Sequence, residues 1–406
     1  MNKTLSNPNK YLGNELAYIK KVLSSDSWSG TGGSWNQTLE RTFAKKIGTR
    51  YAVTFNSGTA TLHAALEAAG VGMGDEVVSP ALTVMMDTTA TLHANAIPVY
   101  ADIDPKTFNI DPKDIKTKIT PKTKAIIVVS LYGLPPEFDK IMEIAKQYNL
   151  PVIEDNAQSY LSVYKGRALG TIGHVASYSF ENSKHISCGE GGIITTDDEN
   201  LARMSRKIGG HGFKNLQAEE GRVRLNQDEF QNPDYKRHDE LGWNYRLSEF
   251  SAAIALAQLE RGEKLVALRK RSAKILMDVM KESDFLIPQH TPDYCEHTYY
   301  TLGVLYEGEQ SIGVSWKDFR RAFKEESGDG IYAAWSVPYL EPLIGEKKYR
   351  KRCPEIYKTL EYPVGLCPVA ERVQKNLMHF KTNYRNVDVI EQRAESLRKV
   401  IKRLKG

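Results

Sequence analysis

Apolar and polar positions along the 406-residue chain follow two different periods. At the start, Leu16-Ala-Tyr-Ile-Lys-Lys-Val-Leu and Trp35 to Ile47 place apolar residues at helical spacing, so residues 1–50 read as a helical segment. The Trp28-Ser-Gly-Thr-Gly-Gly-Ser stretch between them reads as a flexible loop, serving either as a linker or as one side of a substrate site. From Tyr51 the pattern becomes strand, turn, helix. Tyr51-Ala-Val-Thr-Phe, Glu76-Val-Val-Ser, Ile97-Pro-Val-Tyr-Ala-Asp, Ala125-Ile-Ile-Val-Val-Ser-Leu and Pro151-Val-Ile-Glu-Asp are apolar runs of strand length. Helical stretches over 60–69, 84–96 and 136–148 alternate with them. Near-continuous apolar strands separated by helices predict an α/β fold with a mostly parallel sheet covered on both faces.

Further along, Ser177-Tyr-Ser-Phe is strand-like and Ile193-Ile-Thr-Thr follows a Gly-rich turn. Leu201 to Ile208 is helical, and 214–240 is a long polar segment expected to loop out as a lid or an insertion. A long helix is predicted from Leu241 to about Met280, acting as a spine between a large domain and a smaller one. Beyond Phe285 the chain shifts to shorter strands (Tyr299 to Tyr306), a helix near 316–326, Pro- and Tyr-rich turns over 338–363 and a last helix from about Val387. The predicted division is a large domain over 1–260 and a small C-terminal domain over 261–406.

Composition adds exclusions. The chain is 41% hydrophobic and 26% charged, with a net charge of +5, as expected of an ordinary soluble globular protein. Basic residues are interspersed with acids, so nothing marks a nucleic-acid partner. The basic tail from Arg393 to Lys405 reads as an amphipathic helix packed by Leu397, Val400, Ile401 and Leu404. No apolar run approaches the length that spans a membrane, and Met1-Asn-Lys-Thr-Leu-Ser-Asn-Pro carries no signal-type segment. The four cysteines show no paired spacing, which points away from disulfides and zinc and towards a reducing, cytoplasmic compartment. No metal is expected.

The candidate chemistry lies at the ends of strands, where open α/β sheets bind ligands. Asn56-Ser-Gly-Thr59 opens a helix directly after a strand, a turn that suits a phosphate but equally an ordinary N-cap. Asp155 ends a strand 29 residues before Lys184, with Gln158 three residues later. Lys184 sits between a strand-like run and Gly189-Glu-Gly-Gly192, with Ser179 five residues before it. A lysine in that position is either a solvated loop residue or a Schiff-base lysine for pyridoxal phosphate (PLP). A strand-end carboxylate suits the ring nitrogen of such a cofactor, and equally a helix cap.

Taken together, Ser57-Gly-Thr-Ala, Val152-Ile-Glu-Asp-Asn-Ala-Gln158, Ser177-Tyr-Ser-Phe-Glu-Asn-Ser-Lys184, Gly189-Glu-Gly-Gly192 and Gly242-Trp-Asn-Tyr-Arg-Leu-Ser-Glu249 resemble the DegT/DnrJ/EryC1/StrS sugar aminotransferases, over almost the whole chain. The resemblance implies fold type I of the PLP enzymes, with a mostly parallel seven-stranded sheet in the large domain. It implies that Lys184 holds PLP and shuttles the proton, that Asp155 pairs with the ring nitrogen and that Gln158 bonds the ring oxygen. Ser57, Gly58, Thr59 and Ser179 would hold the phosphate. Asn244 would reach the phosphate of a neighbouring subunit, making a homodimer with shared sites. The implied reaction passes an amino group from an amino acid, glutamate by analogy, to a keto sugar. A nucleotide-linked 4-keto-6-deoxy sugar of the perosamine type, for surface polysaccharide, is the expected acceptor. A free keto sugar acid or cyclitol, a PLP-dependent sugar dehydratase and a silent sugar-binding regulator are the alternatives.

Two departures from the family pattern stand out. Val84, Met85 and Met86 follow Pro80-Ala-Leu-Thr83 where many members carry a ring-stacking aromatic. The 214–240 segment is expanded. The related dehydratases replace the lysine by histidine, and His185 is adjacent to it. The register from Ser179 and Gly189-Glu-Gly-Gly192 nevertheless places Lys184 at the cofactor, which favours transfer over dehydration. Loops 28–35, 160–167, 209–240 and 335–340 are the candidates for substrate specificity.

Overall fold

The structure is a computed structural model that describes residues 6–223, 226–327 and 330–405. The start of the segment read for a signal, Met1 to Leu5, and residues 224–225 of the 214–240 stretch lie outside the described residues.

Helices α1 (Glu15–Leu23) and α2 (Trp35–Ile47) precede strand β1 (Tyr51–Phe55), as their apolar spacing predicts. The chain continues through α3 (Gly58–Ala68), β2 (Glu76–Pro80), α4 (Met85–His93), β3 (Ile97–Ala101), β4 (Thr123–Val129), β5 (Val152–Asp155), β6 (Val175–Ser179) and β7 (Gly192–Thr196). These seven strands form one sheet in the order β1-β7-β6-β5-β4-β2-β3. Pairings from β3 through β6 are parallel, and β7 alone runs against both its neighbours. Ile126, Ile127, Val128, Val152 and Ile153 on the central strands are fully buried, which is why those strands read as unbroken apolar runs.

The topology sends the carboxyl ends of β1, β2, β5 and β6 to one edge of the sheet. The antiparallel β7 begins at that edge, with Gly192 paired to both Phe55 and Ser179. A Cβ at Gly192 would stand 2.6 Å from the Ser57 carbonyl oxygen and 2.8 Å from that of Tyr178, so no larger residue fits between the two site-bearing strands.

Four strands, Leu286–Pro288, Leu302–Tyr306, Ile331–Ala333 and Leu377–Phe380, make a second, antiparallel sheet. Its core is built with the helices Gly262–Met280 and Val387–Lys405, the latter burying Leu397, Val400 and Ile401 as its amphipathic pattern predicts. The stretch 334–373 instead returns to the large sheet. There Tyr357 donates to the Ala96 carbonyl at 3.0 Å and Tyr362 to that of Pro98 at 2.8 Å.

Two expectations need correction. The single helix predicted over 241–280 is two, Glu249–Leu259 and Gly262–Met280. Ser248 caps the first by accepting from the Ser251 amide, so 241–248 stays non-helical, and the chain breaks again at 260–261, where Arg261 leaves the helical conformation (φ −109°, ψ 3°). The strand predicted from Tyr299 starts at Leu302. Before it, Tyr299 is left-handed (φ 48°) and the Thr298 and Tyr300 amides bond to the Gly133 and Tyr132 carbonyls of the large sheet's loop. Among the described residues no helix is long and apolar enough to cross a membrane.

Replacing Gly192 by Ala forces β1 or β6 to move. The expected cost is about 1–3 kcal/mol, read as a lower chemical-denaturation midpoint with an unchanged slope. A midpoint equal to the parent's would mean that the strands are not held this tightly.

Candidate active site

Six of the eight residues singled out from the sequence line one cavity of about 460 Å³ at the strand-end edge. They are Ser57, Gly58, Thr59, Asp155, Ser179 and Lys184. Each arrives by its own element. Ser57 follows β1 and caps α3, its Oγ accepting from the Ala60 amide at 3.1 Å. That hydroxyl is the N-cap that the Ser-Gly-Thr turn suggested, and Ser57 also lines the cavity wall. Gly58 opens α3, where helix N–H groups have no carbonyl partner. A Cβ there would stand 2.8 Å from that of Ser179, which is how closely the end of β6 approaches the helix start.

Asp155 ends β5 and is 2% exposed. Its Oδ1 accepts from the Ala157 amide at 2.9 Å. Burial raises its pKa, while that amide and the nearby Lys184 charge pull the other way. Its strand neighbour Glu154 points to the opposite face and accepts from the Gly170, Ile172 and Gly173 amides at 2.7, 2.9 and 2.6 Å, bracing the loop that leads into β6.

Lys184 lies on the loop between β6 and β7. Its amide donates to the Glu181 carbonyl at 3.0 Å, and its Nζ stands 4.6 Å from the Tyr300 ring centroid. The carbonyls of Ser183 and Lys184 are both held by the buried Arg269 guanidinium, at 2.6 and 3.2 Å. Tyr300 bonds the Ser183 hydroxyl at 2.7 Å. Thus residues from the second half of the chain grip the lysine loop from two sides. His185 turns away. It is 3% exposed, its Nε2 is 3.0 Å from the Thr298 carbonyl, and burial holds its pKa well below the usual range.

The other two expected residues stand apart from the cavity wall. Gln158 is buried, with its Oε1 accepting from the Tyr132 amide at 2.9 Å, which leaves its NH₂ as the donor end. Asn244 is exposed on the segment before the Glu249–Leu259 helix, its backbone bridged to Gly210. Val84, Met85 and Met86 do line the cavity, so the wall where an aromatic is common is aliphatic here.

Sequence reasoning missed Tyr300, Arg269 and Asp87. Tyr300 and Arg269 come from distant parts of the chain with no local motif. Asp87 had a visible signal, an acid inside the apolar and Thr-rich stretch 84–96. Among the described residues no group of three or more His, Cys, Asp and Glu side chains is placed to hold a metal.

A lysine, a buried carboxylate and a helix N-terminus flanked by two hydroxyls match the three polar handles of PLP: aldehyde, ring nitrogen and phosphate. The tightness of Gly58 against Ser179 supports the same fit, since it brings backbone amides and hydroxyl to one spot.

Comparison with known proteins agrees. The family model described as "DegT/DnrJ/EryC1/StrS aminotransferase family" matches residues 11–382. The GDP-perosamine synthase of Caulobacter vibrioides is 38% identical over 260 residues, 64% of this chain and 65% of that relative. The GDP-perosamine synthase of Escherichia coli O157:H7 is 35% identical over 300 residues, 72% of this chain and 75% of that relative. Among solved structures, a GDP-4-keto-6-deoxymannose-3-dehydratase with a trapped PLP-glutamate geminal diamine superposes with a TM-score of 0.80 at 26% identity, covering 94% of this chain and 97% of the other. The chain therefore belongs to the DegT/DnrJ/EryC1/StrS aminotransferase family, the PLP-dependent sugar aminotransferases of fold type I.

Proposed function

We propose that this enzyme moves an amino group from glutamate to a GDP-linked 4-keto-6-deoxy sugar, as in perosamine synthesis for surface polysaccharide, and that it works in the cytoplasm as a homodimer. The observation that carries the transfer reading is the single cavity in which Lys184, Asp155 and the start of α3 meet. The names of the two perosamine synthases above support the acceptor. Four buried, unpaired cysteines support the reducing compartment.

PLP, when bound, supplies an aldehyde that takes up an amine and a ring that withdraws electrons from the amine-bearing carbon. The chain's own residues do the rest. Lys184 Nζ would hold the aldehyde and, when free, would be the base that takes a proton from the donor's carbon and later returns one to the acceptor's carbon. Asp155 would pair with the ring nitrogen, and the Gln158 NH₂ end, behind the cavity wall, would be the donor left for the ring oxygen. The Gly58 and Thr59 amides and the Ser57, Thr59 and Ser179 hydroxyls would hold the phosphate. Arg269 and Tyr300 keep the lysine loop in place while Nζ is free.

Dehydration is disfavoured by the direction of His185. It is committed to the Thr298 carbonyl and does not line the cavity, so Lys184 is the base on that loop that reaches the reacting centre.

The shared site rests on Asn244. It is exposed beside Leu241 and Trp243, two large apolar residues 75% and 38% exposed, as a surface covered by a second copy would be. In that assembly its amide completes the partner's phosphate site.

Purified protein loaded with PLP should be yellow and should lose that band when glutamate is added. Lys184→Ala should abolish the band's response and lower turnover by about 10³-fold or more, measured as amino-sugar product by chromatography. A colourless protein that takes up no PLP sinks the assignment.

Mixing inactive Lys184→Ala with inactive Asn244→Ala subunits, unfolded and refolded together, should restore about a quarter of parental activity, because half the dimers then carry one intact site of two. No recovery would place Asn244 within its own subunit's site, and an Asn244→Ala protein that is active alone would place it outside any.

A further inference from the structure

Asp87 lies in the first turn of α4 and is fully buried. Its Oδ2 accepts from the Thr83 hydroxyl at 2.6 Å, while Oδ1 has no hydrogen-bond donor from the protein. Val84, Met85 and Met86 beside it line the same cavity as Asp155, and the two buried carboxyls act on each other. Among the described residues, no lysine or arginine forms an ion pair with Asp87. The charges and dipoles facing the pair are Lys184 on the side of Asp155, the Ala157 amide on Asp155, and the Thr83 and neutral Tyr100 hydroxyl groups near Asp87.

Two interacting carboxylates cannot both be ionised inside a dry core with one lysine nearby. One shared proton removes the repulsion and gives the orphaned Oδ1 a role, as donor or acceptor across the pair. The two acids differ in surroundings. Asp155 has a backbone amide and a lysine stabilising its charge, whereas Asp87 has one hydroxyl and the full cost of burial, which raises its pKa well above the usual carboxylate range. The proton therefore belongs to Asp87.

We propose that Asp87 is a positioning residue for the cofactor: its protonated carboxyl donates a hydrogen bond to Asp155 and so fixes an ionised carboxylate towards the ring nitrogen. This rests on the PLP reading of the site. Without the cofactor the pair carries one negative charge in place of two, and on loading it presents that charge already aimed. Asp155 then holds the Ala157 amide, the Asp87 acid and the ring nitrogen around one carboxylate, a fully bonded buried ion.

The test reads protonation and cofactor affinity on the PLP-loaded protein at neutral pH. The infrared difference spectrum of parent minus Asp87→Asn should show a protonated carboxyl band. Asp87→Asn keeps a donor to Asp155 and should bind PLP within about twofold of the parent. Asp87→Val removes the donor and should bind about tenfold more weakly. A difference spectrum showing a lost carboxylate without an acid band overturns the proposal, as does Asp87→Asn weakening PLP as much as Asp87→Val. Should Asp87→Asn fail to fold, the parent alone decides, since a buried acid band that shifts in D₂O is required and its absence overturns the proposal. A parent that takes up no PLP instead defeats the functional reading, so the two failures are distinct.

Discussion

A carboxylate 2% exposed at the end of a central strand has to be matched by donors or by positive charge, and much of this molecule serves that requirement at Asp155. A parallel sheet brings four strand ends to one edge, and β5 places Asp155 near the middle of it. On one side the lysine loop supplies positive charge. On another, α4 brings a second acid whose proton can serve as a donor. The fold creates a costly group and the site is built from what offsets the cost. An exposed aspartate in the same place would hold water and could not discriminate a pyridinium from solvent.

On the proposed reading Lys184 imposes a second requirement, because its loop has to hold still while its amine changes partners. Local structure alone does not do this: the loop from 180 to 191 has short turns and no regular element of its own. The fixing comes from the second half of the chain. Arg269, on the helix Gly262–Met280, bonds the Ser183 and Lys184 carbonyls, and Tyr300 is pinned by its amide to the Tyr132 carbonyl and by its hydroxyl to Ser183. Arg269 is buried and is satisfied by the Tyr300, Ser183 and Lys184 carbonyls and the Thr382 hydroxyl. Its positive charge also stands near His185 and helps keep that ring neutral. Movement of the helix against the large sheet would therefore be felt directly at Lys184.

These dependencies explain what could be read from the sequence. Strands over 51–55, 152–155 and 175–179 were legible because strands buried on both faces are written as short apolar runs, and Ser57, Asp155 and Ser179 because they sit at or just past the ends of those runs. Arg269 and Tyr300 were not legible, since their partners are 85 and 117 residues away. The break at 260–261 was hidden because helix periodicity continues across it; Arg261 leaves the helical conformation (φ −109°, ψ 3°) between the two helices. Tyr299 misled in the other direction. Aromatic and β-branched residues promised a strand, but the chain there takes a left-handed turn to bond the loop at Tyr132 and Gly133.

The adjacency of Lys184 and His185 shows how one residue of register selects chemistry. Both are polar and both lie on the same loop, and of the two Lys184 lines the cavity while His185 does not. Backbone geometry decides between them. The Lys184 amide bonds Glu181, which closes a turn and directs Nζ into the cavity, and the next side chain must then leave on the opposite side. There it meets the Thr298 carbonyl, and burial keeps it neutral. A buried histidine bonded to a carbonyl retains the segment 298–300 against the loop, and that segment carries Tyr300 to within 4.6 Å of the lysine nitrogen. The residue that looks like a rival base is thus part of what positions the working one.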